Sequence, residues 1–248
     1  MVLLFHLWLP VLTAFSLSRV VAQTFPHAVF YPAGAWSLYL GVLVVYTGDR
    51  LVERGRVPKA MHKPLWAVIG AALLVMGYLA LREPWRLLPV EAALGLISVA
   101  YGAIKGGPLL KTTMVTLTWW VGCTLLPFHL TGEPELHPEL LFHPAVIGFA
   151  IMIAPSTLLC DFKDEESDRQ AGVRSLPILL GPRGAQLVCA ALATLGMIVA
   201  ASASGWATAV TAFFMLAVTP FLRLLRRPLM GPLTVDSLLT LPGLYPWL

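Results

Sequence analysis

Long apolar runs alternate with short polar loops along the whole chain. Nine runs are long enough, or nearly so, for transmembrane helices, since about 20 apolar residues cross the hydrocarbon core. The pattern predicts an all-α integral membrane protein, a bundle of about nine transmembrane helices in a single domain covering residues 1–248. The runs cover roughly residues 3–22 and 33–47, and begin near Pro64, Leu87, Thr112, Leu140, Ala185, Trp206 and Leu233.

Composition supports this prediction and excludes several other classes. The chain is 58% hydrophobic and 12% charged, which lies outside the range of ordinary soluble domains. The net charge of +4 is spread over several loops, so we expect no nucleic-acid partner. The three cysteines form no paired framework, so no disulfides are indicated. The sequence also indicates no obligate protein partner.

The first run also resembles a secretory signal peptide, because Val20-Val-Ala-Gln23 is similar to a cleavage site. It has no basic N-terminal region, however, and Arg19 lies near its far end. These features favour a retained first transmembrane helix.

The loops at the two ends of the predicted bundle differ in positive charge. Loops after even-numbered runs contain fourteen lysines and arginines, whereas loops after odd-numbered runs contain only Arg82 and Arg86. Because cytoplasmic loops are rich in these residues, we expect the even-numbered loops and the N-terminus to lie on the cytoplasmic side of the membrane. We expect this membrane to be a bacterial-type inner membrane. The fourteen are Arg50, Arg54, Arg56, Lys59, Lys63, Lys105, Lys111, Lys163, Arg169, Arg174, Arg183, Arg223, Arg226 and Arg227.

Acidic residues are concentrated in the stretch after the sixth run, which holds five of the thirteen acids of the chain. Asp161, Asp164 and Asp168 are spaced at i, i+3 and i+7, which places three carboxylates on one face of a helix. Such an oxygen-rich group suits Mg²⁺. A charge beside an apolar run is usually functional, and the alternative is a solvated loop that serves only solubility. Gly172 and Pro177 predict a helix stop and a turn.

A second pair of acids follows the second run. Asp49 and Glu53 are four residues apart, so they share one helical face and are within reach of one cation. Arg50 and two further arginines of this loop can bind phosphate oxygens in a bidentate manner. The alternative is a positively charged anchor with two compensating acids. The loop alone does not decide between these interpretations, and its pairing with the acidic stretch favours function.

The acidic stretch resembles the second Asp-rich motif of the UbiA family of intramembrane prenyltransferases. The similarity includes the three aspartates, the glycine at position 172 and the Ser-Leu-Pro sequence at residues 175–177. Helix number, loop positions and orientation also fit the family. The resemblance therefore extends over essentially the whole chain and implies a UbiA-like bundle.

The loop after the second run matches the first family motif, Asn-Asp-x-x-Asp-x-x-x-Asp, less completely. Asp49 stands at the second Asp of that motif, and Glu53 conservatively replaces the last. Val45 and Tyr46 stand where the motif has Asn and its first Asp. A phenol is a poor substitute for a carboxylate as a Mg²⁺ ligand, so this departure implies weaker coordination of one metal ion.

The resemblance implies a Mg²⁺-dependent prenyltransferase that uses a prenyl diphosphate and a lipophilic acceptor, either aromatic or a quinone precursor. It also implies that a tyrosine and lysines in the loop after the fourth run bind diphosphate, and Tyr101 and Lys111 are the counterparts. From the sequence alone, a positively charged cytoplasmic loop explains these lysines equally well. The implied catalytic acids are Asp49, Asp161, Asp164 and Asp168; the metal ligands are these four with Glu53; and the diphosphate-binding residues are Arg50, Tyr101, Lys111, Arg169 and Arg174.

Two other functions remain open. The incomplete first motif favours a non-catalytic UbiA-fold membrane protein that binds a lipid or a quinone. A transporter that uses the acids as a cation path is disfavoured, because the acids cluster at loop edges. Trp119 and Trp120, inside the fifth run, either shield a carbocation or pack the bundle, and packing is the commoner role of such residues.

Overall fold

The computed structural model of the protein describes residues 2–25, 27–52, 58–82, 87–104, 110–130, 137–170, 172–203, 205–227 and 230–244. These residues form a helical bundle with one small two-stranded sheet. The elements in chain order are α1 (Val2–Thr24), β1 (Ala28–Phe30), α2 (Pro32–Val52), α3 (Lys59–Ala80), α4 (Leu88–Ile104), α5 (Leu110–Leu125), β2 (Phe128–Leu130), a 3₁₀ turn (Pro138–Phe142), α6 (Pro144–Gln170), α7 (Leu176–Ser202), α8 (Trp206–Val218), α9 (Leu222–Leu225) and α10 (Met230–Leu244).

Nine of the helices in the described ranges correspond to the nine predicted runs, which confirms the all-α prediction. The largest shift in a boundary is at α7, which begins at Leu176 rather than near Ala185. The early start is possible because Pro177 lies in the first turn, where its missing N–H is not needed. The helix is then interrupted at Gly181, which has a φ of 68°. The four-residue α9 was not predicted.

Three of the described helices are long and apolar enough to cross a membrane by length and composition alone. They are residues 59–80, 144–166 and 176–202, and the helical segments at residues 88–101 and 206–218 are apolar but shorter.

The small sheet connects two loops at one end of the bundle. Strands β1 and β2 are antiparallel, with Val29 opposite His129. They follow α1 and α5, both odd-numbered helices, so these two loops lie at the same end, as the alternation of predicted spans requires. At the opposite end, Arg226 after α8 contacts Glu165 near the end of α6.

Helix α6 lies at the centre of the bundle. Its residues Phe149, Met152, Ile153, Leu159 and Phe162 are all buried, with at most 2% of their surface exposed. In a membrane these side chains stabilise the bundle by van der Waals packing rather than by removal from water, because lipid is as apolar as leucine.

Close packing of small residues joins α6 to α7. A Cβ added at Gly148 would lie 2.8 Å from the backbone nitrogen of Ala200, and one added at Gly196 would lie 3.1 Å from the backbone nitrogen of Met152. Gly196 and Ala200 are four residues apart and form the small-xxx-small pattern that lets membrane helices approach closely. This crossing fixes the position of α6 and of the acids at its end.

Polar contacts join the first and last helices. The hydroxyls of Thr13 and Thr240 are 3.0 Å apart, and the N–H of Gly243 donates to Ser16 Oγ at 2.9 Å. The short last run, which contains two prolines and an aspartate, therefore does form a helix, α10, that packs against α1.

Candidate active site

The acidic stretch is the last part of α6, which continues from its apolar segment to Gln170 without interruption. The prediction of helical register is therefore confirmed, and Asp161, Asp164 and Asp168 share one face. Asp161 is the most buried of the three, with 3% of its surface exposed. An ionised carboxylate is tolerated at such a position only when it is paired.

Helix α6 ends at the predicted glycine. The N–H of Gly172 donates to the carbonyl of Arg169 at 3.2 Å, and the N–H of Val173 donates to the carbonyl of Asp168 at 2.8 Å. This pair of bonds is the Schellman motif, which requires a left-handed residue, and Gly172 has a φ of 71°. The glycine thus fixes the end of the helix at Gln170, two residues after Asp168.

Lys111 is the counter-ion of the three aspartates. Its Nζ lies 2.9 Å from Asp161 Oδ1, 3.0 Å from Asp168 Oδ2 and 3.7 Å from Asp164 Oδ2. The lysine comes from the first turn of α5, and only 15% of its side chain is exposed. The next residue, Thr112, donates from Oγ1 to Asp161 Oδ2 at 3.4 Å. The start of α5 therefore closes over the acidic face of α6.

The remaining charges of the acidic stretch are paired as well. Lys163 pairs with Asp164 on the side of the cluster. Glu165, one helical turn after Asp161, contacts Arg169 at 3.3 Å and Arg226 at 2.7 Å. Glu166 accepts a hydrogen bond from Gln170 at 2.9 Å. Three of the five acids thus converge on Lys111, whereas Glu165 pairs with arginines and Glu166 with Gln170.

The three carboxylates fit a divalent metal in ligand chemistry, although their present arrangement is not that of a bound metal. They supply hard oxygen ligands around one point, and a cation already lies there, the ammonium of Lys111. Mg²⁺ requires oxygens at about 2.0–2.1 Å, whereas the nearest carboxylate oxygens surround Lys111 Nζ at 2.9–3.7 Å. In the described residues, no three His, Cys, Asp or Glu side chains are arranged as a ready metal site. Metal binding would therefore draw the three side chains together.

The first acidic group is described only in part. Asp49 is exposed near the end of α2. Glu53 lies outside the described residues, and for Arg50 the backbone alone is described. Tyr101, in the last turn of α4, lies within electrostatic range of both Asp49 and the acidic face of α6.

The other implied diphosphate-binding residues lie at the edge of the site. Arg169 is 57% exposed and pairs with Glu165. Arg174 is exposed in the turn between α6 and α7. Neither arginine contacts the three aspartates in the described residues. Inside the bundle, Trp119 and Trp120 pack against the main apolar core, which favours their structural role.

Sequence reasoning missed the most informative contact of the site. It gave Lys111 a role towards diphosphate, but no pattern pairs this lysine with acids about fifty residues later. The pairs Lys163–Asp164 and Arg226–Glu165 were also missed. The i, i+3, i+7 spacing carried a usable signal, since three carboxylates on one helical face require a cation.

The profile of the UbiA prenyltransferase family matches residues 36–230, most of the chain. The chain belongs to this family. It is therefore an integral membrane protein of a family of prenyltransferases. The match includes α2, which carries the first acidic group, and α6, which carries the second.

Two solved structures have a similar fold. A UbiA homolog from Aeropyrum pernix K1 superposes with a TM-score of 0.66 at 18% identity, covering 95% of this chain and 98% of that chain. A UbiA homolog from Archaeoglobus fulgidus, bound to DMAPP and Mg²⁺, gives a TM-score of 0.58 at 16% identity, covering 97% and 98%. At these identities the likeness establishes the UbiA fold.

A curated relative is also similar in sequence. It is the 1,4-dihydroxy-2-naphthoate octaprenyltransferase of Bacillus subtilis (strain 168), 27% identical over 172 residues. The match covers 64% of this chain and 53% of the relative, so the aligned region spans about half the length of that enzyme.

Proposed function

We propose that this protein is a Mg²⁺-dependent membrane prenyltransferase that moves an isoprenyl group from a prenyl diphosphate to a lipophilic acceptor. The observation that carries the proposal is the convergence of Asp161, Asp164 and Asp168 on one buried cation at the edge of an apolar bundle. Such a site can hold a polar, multiply charged headgroup while the attached hydrocarbon lies among the helices.

In this proposal the three aspartates of α6 hold Mg²⁺, assisted by Asp49 and Glu53 from the first loop. Bound there, Mg²⁺ would neutralise the diphosphate leaving group. Lys111 and Tyr101 lie beside the aspartates and would contact the diphosphate oxygens directly. Arg50, Arg169 and Arg174 would add positive charge at the rim of the site, where exposed arginines contribute modestly.

The reaction would separate charge in a place with little water. The C–O bond of the prenyl diphosphate breaks, the diphosphate leaves with the electron pair, and a nucleophilic atom of the acceptor attacks the allylic cation and then loses a proton. Fixed positive charge at the leaving group stabilises this transition state. The apolar bundle, built around α6, would keep water away from the cation.

The relatives support this substrate class. The Archaeoglobus fulgidus homolog binds DMAPP and Mg²⁺, and a second structure of that homolog holds GPP and Mg²⁺. The Bacillus subtilis relative is named for an aromatic acceptor, 1,4-dihydroxy-2-naphthoate. We therefore propose an aromatic or quinone-precursor acceptor, and a cytoplasmic position for both acidic groups at a bacterial-type inner membrane.

The incomplete first motif favours a second candidate function, a non-catalytic UbiA-fold protein that binds a lipid or a quinone. In this case the lipid or quinone would bind among the helices of the apolar bundle, and no bond would be broken. Val45 and Tyr46, which replace two polar positions of the motif, are the observation that supports it.

An assay of the purified protein separates the two functions. Radiolabelled prenyl diphosphates of several lengths are incubated with the protein and membrane-lipid extract, with and without Mg²⁺, and diphosphate release is measured. The enzyme predicts Mg²⁺-dependent release that is lost in Asp164→Ala. The matched control is Glu166→Ala, because Glu166 lies on the same helix but only contacts Gln170. Absence of turnover, with unchanged ligand binding in Asp164→Ala, would favour the binding protein.

A further inference from the structure

Lys111 occupies the point at which the three aspartates of α6 would hold a metal ion. Its ammonium has three N–H donors, and two of them are within hydrogen-bond distance of Asp161 and Asp168, while Asp164 lies at 3.7 Å. The carboxylate oxygens of the cluster cannot surround both this ammonium and a metal ion at about 2.1 Å. Lysine and metal therefore compete for the same oxygens.

The charges of the cluster determine how this competition ends. Three carboxylates with Lys111 and Lys163 carry a formal charge of −1. A divalent metal added to this group would bring the charge to +1 and place two cations side by side in a largely buried site. If Lys111 leaves, the group is neutral. The lysine then loses three carboxylates, and it needs another anion at the edge of the bundle.

A diphosphate supplies that anion. Lys111 lies in the first turn of α5, and its long, flexible side chain can turn from the α6 carboxylates towards phosphate oxygens bound beside the metal. Without diphosphate, metal entry separates a buried ion pair and takes three carboxylates away from the ammonium, which is costly. With diphosphate, the ammonium exchanges one set of anionic oxygens for another.

We propose that Lys111 is a positioning residue that couples metal binding to diphosphate binding, by occupying the aspartate cluster until a diphosphate provides it with a new partner. This inference rests on the proposed function. It adds that the protein binds metal tightly only when diphosphate is also bound. Because such coupling is reciprocal, diphosphate is also held firmly only together with metal.

The test measures Mn²⁺ binding to the full-length protein in lipid nanodiscs by electron paramagnetic resonance, without turnover. The wild-type protein is expected to bind Mn²⁺ weakly alone and more tightly with inorganic pyrophosphate, after correction with a protein-free titration. Lys111→Gln should bind Mn²⁺ alone about tenfold more tightly, the equivalent of one charge-assisted hydrogen bond removed from competition. Its additional gain on pyrophosphate addition should be smaller than that of the wild type.

Lys163→Gln is the matched control. Lys163 is also a largely buried lysine, with 12% of its side chain exposed, and it also pairs with Asp164, but it does not bridge the three carboxylates. Its loss should raise Mn²⁺ affinity by about threefold at most, less than Lys111→Gln, because it removes one positive charge but frees only one carboxylate. An equal gain in both variants, or no gain in Lys111→Gln, would overturn the proposal.

A second pair of variants serves if Lys111→Gln does not fold with three uncompensated carboxylates. Asp168→Asn with Lys111→Gln removes one charge of each sign, and it is compared with Asp168→Asn alone. The proposal predicts tighter Mn²⁺ binding in the double variant, and equal binding would contradict it. If the wild type catalyses prenyl transfer but replacement of Lys111 does not tighten Mn²⁺ binding, only the proposed coupling is contradicted. If Mn²⁺ binding tightens but the wild type shows no turnover, only the proposed enzymatic activity is contradicted.

Discussion

The two acidic groups of this protein differ in how completely the fold supports them. The group on α6 has three carboxylates on one helical face, a buried lysine among them and a glycine that fixes the helix end. The group at the end of α2 has Asp49, which is exposed, and hydrophobic or aromatic residues where its family motif has polar ones. The family resemblance implies metal binding by both groups. Among the described residues, however, only the α6 group has a counter-ion, which is Lys111.

Under the proposed function, this difference predicts that the α6 cluster contributes most of the metal and diphosphate affinity. A carboxylate in a site of low dielectric interacts strongly with a cation, whereas an exposed one is screened by water. The α2 group would then contribute less to metal and diphosphate affinity than the α6 cluster does. Identical substitutions in the two regions test this conclusion directly.

Asp161→Asn should have the largest effect. The change preserves the shape of the side chain and removes the charge of the most buried carboxylate, which contacts both Lys111 and Thr112. We expect prenyl transfer to fall on the order of 10²–10³-fold, as for the loss of a central electrostatic group in other enzymes. Steady-state kinetics at saturating Mg²⁺ measures the effect. A loss below tenfold would mean that the cluster is not the main site.

Asp49→Asn should reduce the rate less, by roughly 10–100-fold, the range found for supporting groups around metal ligands. The reason is its exposure at the end of α2. The same kinetic assay gives the ratio of the two losses. A loss for Asp49→Asn that equals or exceeds that for Asp161→Asn would reverse the proposed division between the regions.

Gly148→Ala should disturb the α6 cluster from a distance. The new Cβ would lie 2.8 Å from the backbone nitrogen of Ala200, so α6 and α7 must separate. We expect a loss of about 1–3 kcal/mol in stability, typical of overpacking, and a lower melting temperature in detergent. The matched control is Gly70→Ala on α3, where nothing lies within 4 Å of the added Cβ. Equal melting temperatures for the two variants would show that the crossing is not tightly packed.

Tyr46→Asp should restore one position of the first motif and produce the smallest change. Tyr46 is three residues before Asp49 on α2, so the new carboxylate would share its face. We expect the Mg²⁺ concentration for half-maximal rate to fall by about threefold, the effect of one added exposed charge. Tyr46→Asn, which adds a polar group without charge, is the control. An unchanged Mg²⁺ requirement in Tyr46→Asp would show that the α2 group does not bind metal.

Much of this fold could be predicted because its signals are local. Apolar runs of nearly fixed length predicted the long helices, and the spacing of the aspartates predicted that α6 continues beyond its apolar segment. Gly172 predicted the helix end, because only a glycine adopts the left-handed conformation there without strain. Each of these depends on residues within one or two helical turns of one another.

The features that could not be predicted depend on contacts between distant parts of the chain. Strands β1 and β2 have three residues each, too few for a periodic pattern. Lys111 belongs to a loop with another lysine, and nothing in the sequence distinguishes a lysine that enters the aspartate cluster from one that faces the membrane surface. The depth of Asp161 follows from the crossing of α6 with its neighbours, which a single sequence does not reveal.

The most direct test of the account places metal and diphosphate in the same site. Mn²⁺ and a non-cleavable thiolodiphosphate analogue of geranyl diphosphate are bound to the purified protein, the unbound fraction is removed by gel filtration, and electron–nuclear double resonance is recorded. We predict ³¹P hyperfine coupling on the bound Mn²⁺ in the wild-type protein and its loss in Asp164→Ala. Bound Mn²⁺ without ³¹P coupling, or coupling unchanged in Asp164→Ala, would contradict a metal–diphosphate site on α6.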